Sequence, residues 1–174
     1  PCRVAAVISN RADAEGLALA KAHGIPTAVV KHRDYPDRNS FDAALARKID
    51  SYHPDFVALA GFMRILTPDF VAHYFGKLIN IHPSLLPAFP GVGAQGQALA
   101  HGVKVTGCTV HYVDAGVDTG PIIAQRAVPV LDDDDEAALS ARILAEEHRL
   151  YAEALARLLV EPWRIAGRRV LFGA

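Results

Sequence analysis

Cysteine is nearly absent. Cys2 and Cys108 are the only two in 174 residues. Neither has a partner at metal-ligand spacing, which argues against structural disulfides and cysteine-built metal sites and points to a reduced, cytoplasmic setting. An excess of charge of one sign is also lacking. The formal net charge is −1 with 21% charged residues, which argues against a chain held to nucleic acid or to an anionic membrane by bulk electrostatics. A local basic pocket for a phosphorylated metabolite stays open. No uninterrupted apolar run approaches bilayer length, and no basic-then-apolar leader precedes the first strand, so a soluble, unexported protein is expected. An initiating methionine is missing too. The chain opens at Pro1 and enters a strand at once, so further residues are expected ahead of it. Internal repeats, low-complexity tracts and interdomain linkers are absent.

What is present suits one domain over residues 1–174, with a hydrophobic content of 51% that can fill a substantial core. Residues 4–8 are β-branched and alanine-padded without polar alternation, the pattern of a strand buried on both faces. Residues 12–23 have helical spacing and end at Gly24, and Pro26 leads into a second strand at 27–30. This β-α-β opening predicts a parallel sheet with right-handed crossovers. Ser40 reads as the N-cap of a helix to about Ser51, residues 56–60 as a third strand, and Thr67-Pro68 as the cap of a short helix through Tyr74. A strand at 78–81, a helix at 94–100, strands at 106–113 and 121–130, and a long helix from about Asp134 to Val160 follow, then a hairpin through Gly167. The long helix is expected to pack one face, with Leu139, Ile143, Leu144, Leu150, Leu155, Leu158 and Leu159, on the sheet. The four acids at 132–135 read as a solvated turn whose last members favour the helix N-terminus. The fold class is α/β: a Rossmann-like, doubly wound, mostly parallel sheet with a mixed C-terminal part and a long C-terminal helix.

Chemistry concentrates in Asn80-Ile81-His82-Pro83-Ser84-Leu85-Leu86-Pro87 with Phe89-Pro90-Gly91 behind it. Pro83 cannot donate to a ladder, so the strand stops near His82, and Asn80 and His82, two apart, point the same way at its carboxyl end. Open α/β sheets keep their binding crevice there. Asn80 can donate to a developing oxyanion, and His82 can carry a proton at neutral pH. The competing reading is a strand end whose two polar residues only satisfy loop backbone. Asp118, set among Gly116, Thr119, Gly120 and Pro121, is the carboxylate best placed to join them. It would favour the imidazolium form of His82 and orient it or hold a water; a solvated turn aspartate is the alternative. His111 is a possible further polar member, or a histidine bonded within the sheet. Gly61-Phe62-Met63-Arg64-Ile65-Leu66 after the third strand could wall a pocket for a flat ring, or simply pack.

Together these three segments, with Val117-Asp118-Thr119-Gly120-Pro121 as the last, resemble in order and spacing the phosphoribosylglycinamide formyltransferases of purine synthesis, over nearly the whole chain. The resemblance implies the formyltransferase fold, 10-formyltetrahydrofolate as co-substrate and glycinamide ribonucleotide as acceptor, with no metal, nucleic-acid or membrane partner and a monomer or homodimer. It implies Asn80, His82 and Asp118 as catalytic residues: Asn80 on the formyl oxygen, His82 on the oxyanion, Asp118 holding His82 charged and ordering a water. It further implies Met63, Arg64, Ile65, Leu66, Arg38 and Asp114 at the folate and Glu147 at the ribose hydroxyls. The family's first strand and glycine-rich phosphate loop precede the segment that begins at Pro1, and Gly93 stands where many members carry a histidine. Two other readings accompany this one, a formyltetrahydrofolate deformylase and a truncated, non-catalytic folate-binding fragment.

Overall fold

The computed structural model describes residues 2–173. They divide into two compact units, one taking in the chain up to Val57 and Met63–Tyr74, the other Ala58–Phe62 and the chain from Phe75 onward.

The first unit opens with β1 (Val7–Ser9), α1 (Glu15–Ala22) and β2 (Thr27–Val29). β1 and β2 pair in parallel, Val7 opposite Thr27 and Ser9 opposite Val29, as the β-α-β pattern predicts. The expected strand at 4–8 starts later, and Val4 is 50% exposed rather than buried on both faces, because the partner strand is only three residues long and offers no ladder further back. A single 3-10 turn at His32–Asp34 leads to α2 (Arg38–Asp50), and α3 (Pro68–His73) completes the unit. α2 begins ahead of Ser40. The Asp37 carboxylate accepts from the Ser40 N–H at 2.7 Å and from its hydroxyl at 2.6 Å, so Asp37 is the N-cap and Ser40 lies inside the first turn. α2 buries Phe41, Ala44, Leu45 and Ile49. The buried Asp42 accepts from the Thr67 N–H at 2.7 Å while the Thr67 hydroxyl caps α3, so one carboxylate ties the two helices together.

The second unit contains β4 (Leu78–His82), α4 (Ala94–His101), β5 (Val105–Tyr112), β6 (Ile122–Pro129), α5 (Glu136–Val160), β7 (Trp163–Ala166) and β8 (Arg169–Phe172). β3 (Val57–Ala58) heads its six-stranded sheet, ordered β3-β4-β5-β6-β8-β7. β5 runs antiparallel to both β4 and β6, β6 and β8 are parallel, and β7 and β8 form the closing hairpin. α5 seats Leu139, Ile143, Leu150, Ala154 and Leu158 in the core, each large apolar side chain contributing about 1.5–3 kcal/mol. Leu144 and Leu159 are instead 49% and 41% exposed, since each sits one position round the helix from a buried residue. The acidic run is more than a solvated turn. Asp135 caps α5 through the Ala138 N–H, Asp132 meets Lys104, and Asp134 takes both Arg142 amino groups, which hold its carboxyl at about 2. No helix among the described residues is long and apolar enough to cross a membrane.

Candidate active site

β4 ends where Pro83 withdraws a donor, and its last residues face β5 in a fixed register: Asn80 opposite His111, His82 opposite Thr109. Alternation puts all four side chains on one face of the sheet. The strip is polar in an otherwise apolar ladder, with His82, Thr109 and His111 buried.

Thr109 anchors the loop that follows β4. Its hydroxyl donates to the Ser84 carbonyl at 2.7 Å and accepts from the Leu86 N–H at 3.1 Å, while the Gln125 amide donates to it at 3.1 Å and to the Leu86 carbonyl at 2.8 Å. A hydroxyl offers one donor and two acceptor positions, and here all three are used. The loop then turns through Phe89 at φ 51° and Gly91 at φ 80°, which brings the Phe89 carbonyl 2.8 Å from His82 Nε2. A carbonyl only accepts, so Nε2 carries the hydrogen.

Asp118 arrives from the loop between β5 and β6. Asp114 Oδ1 accepts from the Gly116 N–H at 3.0 Å and the Thr119 hydroxyl at 2.6 Å, and a Cβ on Gly120 would overlap the Tyr112 carbonyl oxygen, so the loop closes only around glycine. Within it Asp118 takes φ 54°, a left-handed conformation that aspartate tolerates better than most. Its Oδ2 accepts from the Gly91 N–H at 2.8 Å and lies 3.4 Å from His82 Nδ1; its side chain is 14% exposed and that of His82 6%. His82 is thus pinned at Nε2, and a doubly protonated ring would offer Nδ1–H along a looser contact that a ligand oxygen can share.

His111 has a different state. Burial pushes its imidazolium pKa down, against the pull of the Tyr112 carbonyl and Asp118, so its neutral ring gives Nδ1–H to the Tyr112 carbonyl at 2.9 Å. Its Nε2 is then a lone pair without a hydrogen-bond partner, 3.8 Å from Asp118 Oδ1. Two acceptors at that separation are not an ion pair; they call for a shared donor such as a water or an amine N–H. Asn80 has no hydrogen-bond partner for its amide among the described residues, which leaves that donor free at the strand end.

Asn80 and His82 therefore share one face of the sheet, where Asp118 comes close to His82 and His111, and Asp114 holds the loop that carries Asp118. Glu147 stands elsewhere in this unit. It lies on α5, close enough that its charge helps burial raise the Cys108 thiol pKa to about 11, and Cys108 alternates with Thr109 on β5, facing the opposite side of the sheet. Burial also pushes the Glu147 carboxyl up. Arg38, Met63, Arg64, Ile65 and Leu66 belong to the first unit. Met63 and Ile65 are 82% and 71% exposed, and the Arg64 guanidinium lies 4.9 Å from the Phe41 ring centroid. Sequence reasoning missed Thr109 and Gln125, and took in Ser84 only as part of the motif, with no role of its own. Only the β4–β5 register, which sets Thr109 against His82, could have drawn attention to them.

A family model described as formyl transferase matches residues 1–155. The phosphoribosylglycinamide formyltransferase of Mycobacterium tuberculosis is 46% identical over 173 residues, 99% of this chain and 80% of that protein. The trifunctional purine biosynthetic protein adenosine-3 of Drosophila pseudoobscura pseudoobscura is 53% identical over 152 residues, 87% of this chain. This chain spans only 11% of that long fly protein. The crystal structure of glycinamide ribonucleotide transformylase 1 from Symbiobacterium toebii superposes with a TM-score of 0.95 at 54% identity, covering 98% of this chain and 80% of that one. With its fold, its polar strip and these matches in agreement, the chain belongs to the formyl transferase family, on its phosphoribosylglycinamide formyltransferase branch.

Proposed function

We propose that this chain moves the formyl group of 10-formyltetrahydrofolate onto the amine of glycinamide ribonucleotide, in the cytoplasm, with Asn80, His82 and Asp118 as its catalytic residues. The observation that carries the reading is the pairing of a free Asn80 amide with a His82 ring held at Nε2 by the Phe89 carbonyl and facing Asp118 through Nδ1. Asn80 donates to the formyl oxygen. The acceptor amine forms a C–N bond to the formyl carbon, negative charge gathers on that oxygen, and His82 Nδ1–H strengthens its hydrogen bond as the charge grows. Donors fixed where charge develops are worth about 10²–10³ in rate each. Asp118 and His111 Nε2 accept from a bridging water that takes the proton lost by the amine and delivers it to the departing folate nitrogen as the C–N bond to folate breaks. The exposed Met63 and Ile65, with Arg64 and Leu66, line the pterin, with Arg38 and Asp114 also at the folate; Glu147 accepts from the ribose hydroxyls.

The acceptor dependence tests it. Formyl loss from the folate should require glycinamide ribonucleotide and yield its formylated product, with little formate; formate released equally fast with and without the acceptor would favour a deformylase instead. Folate binding without ribonucleotide binding in calorimetry would favour the non-catalytic reading.

Glu147 supplies a prediction with opposite signs for stability and binding. Its carboxyl pKa is raised by burial, so the folded state binds protons more readily than the unfolded one, and stability falls as pH rises through the ordinary carboxylate range and up to the raised value. Glu147→Gln removes that penalty. The variant should melt higher than wild type at neutral pH, the difference vanishing in acid, while its KM for the ribonucleotide rises about tenfold. A lower melting temperature at neutral pH would contradict the first half, and an unchanged KM the second.

A further inference from the structure

Ser84 sits next to the catalytic strand end, has no exposed surface, and is not used in the chemistry described above. Its hydroxyl donates to the Ala88 carbonyl at 2.5 Å and lies 3.3 Å from the Phe89 carbonyl oxygen. That second carbonyl is the one that takes His82 Nε2–H. We infer that Ser84 is a positioning residue: its hydroxyl holds the 88–89 turn so that the Phe89 carbonyl fixes the His82 ring by Nε2 and reserves Nδ1 for the reacting oxygen. The inference rests on the proposed transfer reaction for its kinetic consequences, though not for its structural one.

Three observations support it. Phe89 occupies a left-handed φ of 51°, which is unfavourable for a non-glycine residue and persists only where neighbours hold it. Ser84 supplies such a hold from inside the same loop. The base of the loop is fixed separately, since the Ser84 carbonyl is taken by the Thr109 hydroxyl and the Leu86 peptide by Thr109 and Gln125. Loss of the Ser84 hydroxyl therefore loosens the Ala88 and Phe89 carbonyls without freeing the loop, since the Ala88 N–H keeps its bond to the Leu85 carbonyl at 3.0 Å and the Phe89 ring its contact with His101. Finally, the ring that acts in the proposed reaction is doubly protonated and carries a hydrogen on each nitrogen, and the carbonyl at Nε2 decides which of the two N–H donors faces the reacting oxygen. With the turn relaxed, the ring is free to rotate, and Nδ1–H loses its assigned place.

The experiment compares wild type, Ser84→Ala and Ser84→Cys by steady-state kinetics, pH profile and ¹H–¹⁵N long-range spectra of the His82 ring. Wild type should show a slowly exchanging Nε2–H. Ser84→Ala should lose that proton signal, drop kcat by about 30-fold, keep both KM values within about twofold, and shift the pH profile of kcat. Ser84→Cys, a weaker donor of similar shape, should fall between the two, and it decides the matter if the alanine variant does not fold. A ring signal in the variants identical to wild type overturns the inference, as does a loss carried by KM with kcat unchanged. If wild type transfers no formyl group, the functional reading fails by itself, and the ring spectra still decide what Ser84 does.

Discussion

Alanine in place of His82 should reduce kcat by about 10³-fold or more while folate affinity stays within about threefold of wild type. The size follows from the two tasks given to the ring. An oxyanion donor is worth about 10²–10³, and a participant in proton transfer about 10²–10⁴; in the proposed mechanism one ring has both roles, so the losses overlap rather than multiply. A 10³-fold loss corresponds to about 4 kcal/mol of transition-state stabilisation. Binding should be spared because the proposed pterin contacts, Met63, Arg64, Ile65 and Leu66, do not include His82, which is buried. The substitution leaves the Phe89 carbonyl without its ring donor, a penalty of about 1–3 kcal/mol in stability, so a melting curve accompanies the kinetics. His82→Gln separates the effects further, since its amide can donate to Phe89 but cannot carry a transferable proton. Alanine-variant turnover within tenfold of wild type, from folded protein, would remove His82 from the mechanism.

The parts legible in the sequence are those governed by short-range rules. Asn80 and His82 share a face because strands repeat every two residues, and Pro83 marks where the strand must stop; neither inference needs the rest of the chain. The same applies to the Thr67-Pro68 cap of α3 and to the hairpin through Gly167. The start of α2 is misplaced by sequence reasoning because Asp37 and Ser40 are both good caps and only the geometry decides which accepts from the other. Along α5, apolar character alone does not reveal burial: Ile143 and Leu144 are neighbours of similar size and hydrophobicity, yet Ile143 is buried in the core and Leu144 is half exposed. Beyond the two strand residues, the site depends on long-range contacts. Thr109 reaches Ser84 across 25 residues and Gln125 reaches Leu86 across 39, and no local pattern marks either pair. His111 is legible as a polar neighbour, but its bare Nε2 emerges only once burial and the Tyr112 carbonyl fix its protonation.

Asp118→Asn should separate catalysis from stability more cleanly than any other substitution at this site. Asparagine tolerates the left-handed φ of 54° at this position and keeps an oxygen to accept from the Gly91 N–H, now at 2.8 Å from Oδ2. With that oxygen placed, the amide nitrogen takes the place of Oδ1, 3.8 Å from the lone pair of His111 Nε2. At that distance it forms no hydrogen bond, but a small shift of either side chain brings it within reach of a buried ring nitrogen that has no hydrogen-bond partner. The fold gives up the carboxylate charge 3.4 Å from His82 Nδ1 but keeps the bond to Gly91 and sets a donor towards His111, so the melting temperature should stay close to that of wild type. Catalysis loses the negative charge that faces His82 Nδ1 and one of the two acceptors assigned to the bridging water. Loss of a positioned proton acceptor of this kind costs about 10²–10⁴, and kcat should fall by at least about 10² with KM little changed. The decisive comparison is kcat against melting temperature in the same preparation. A variant as active as wild type would show that the Asp118 charge has no part in the reaction, and one that melts well below wild type would show that its carboxylate serves the fold instead.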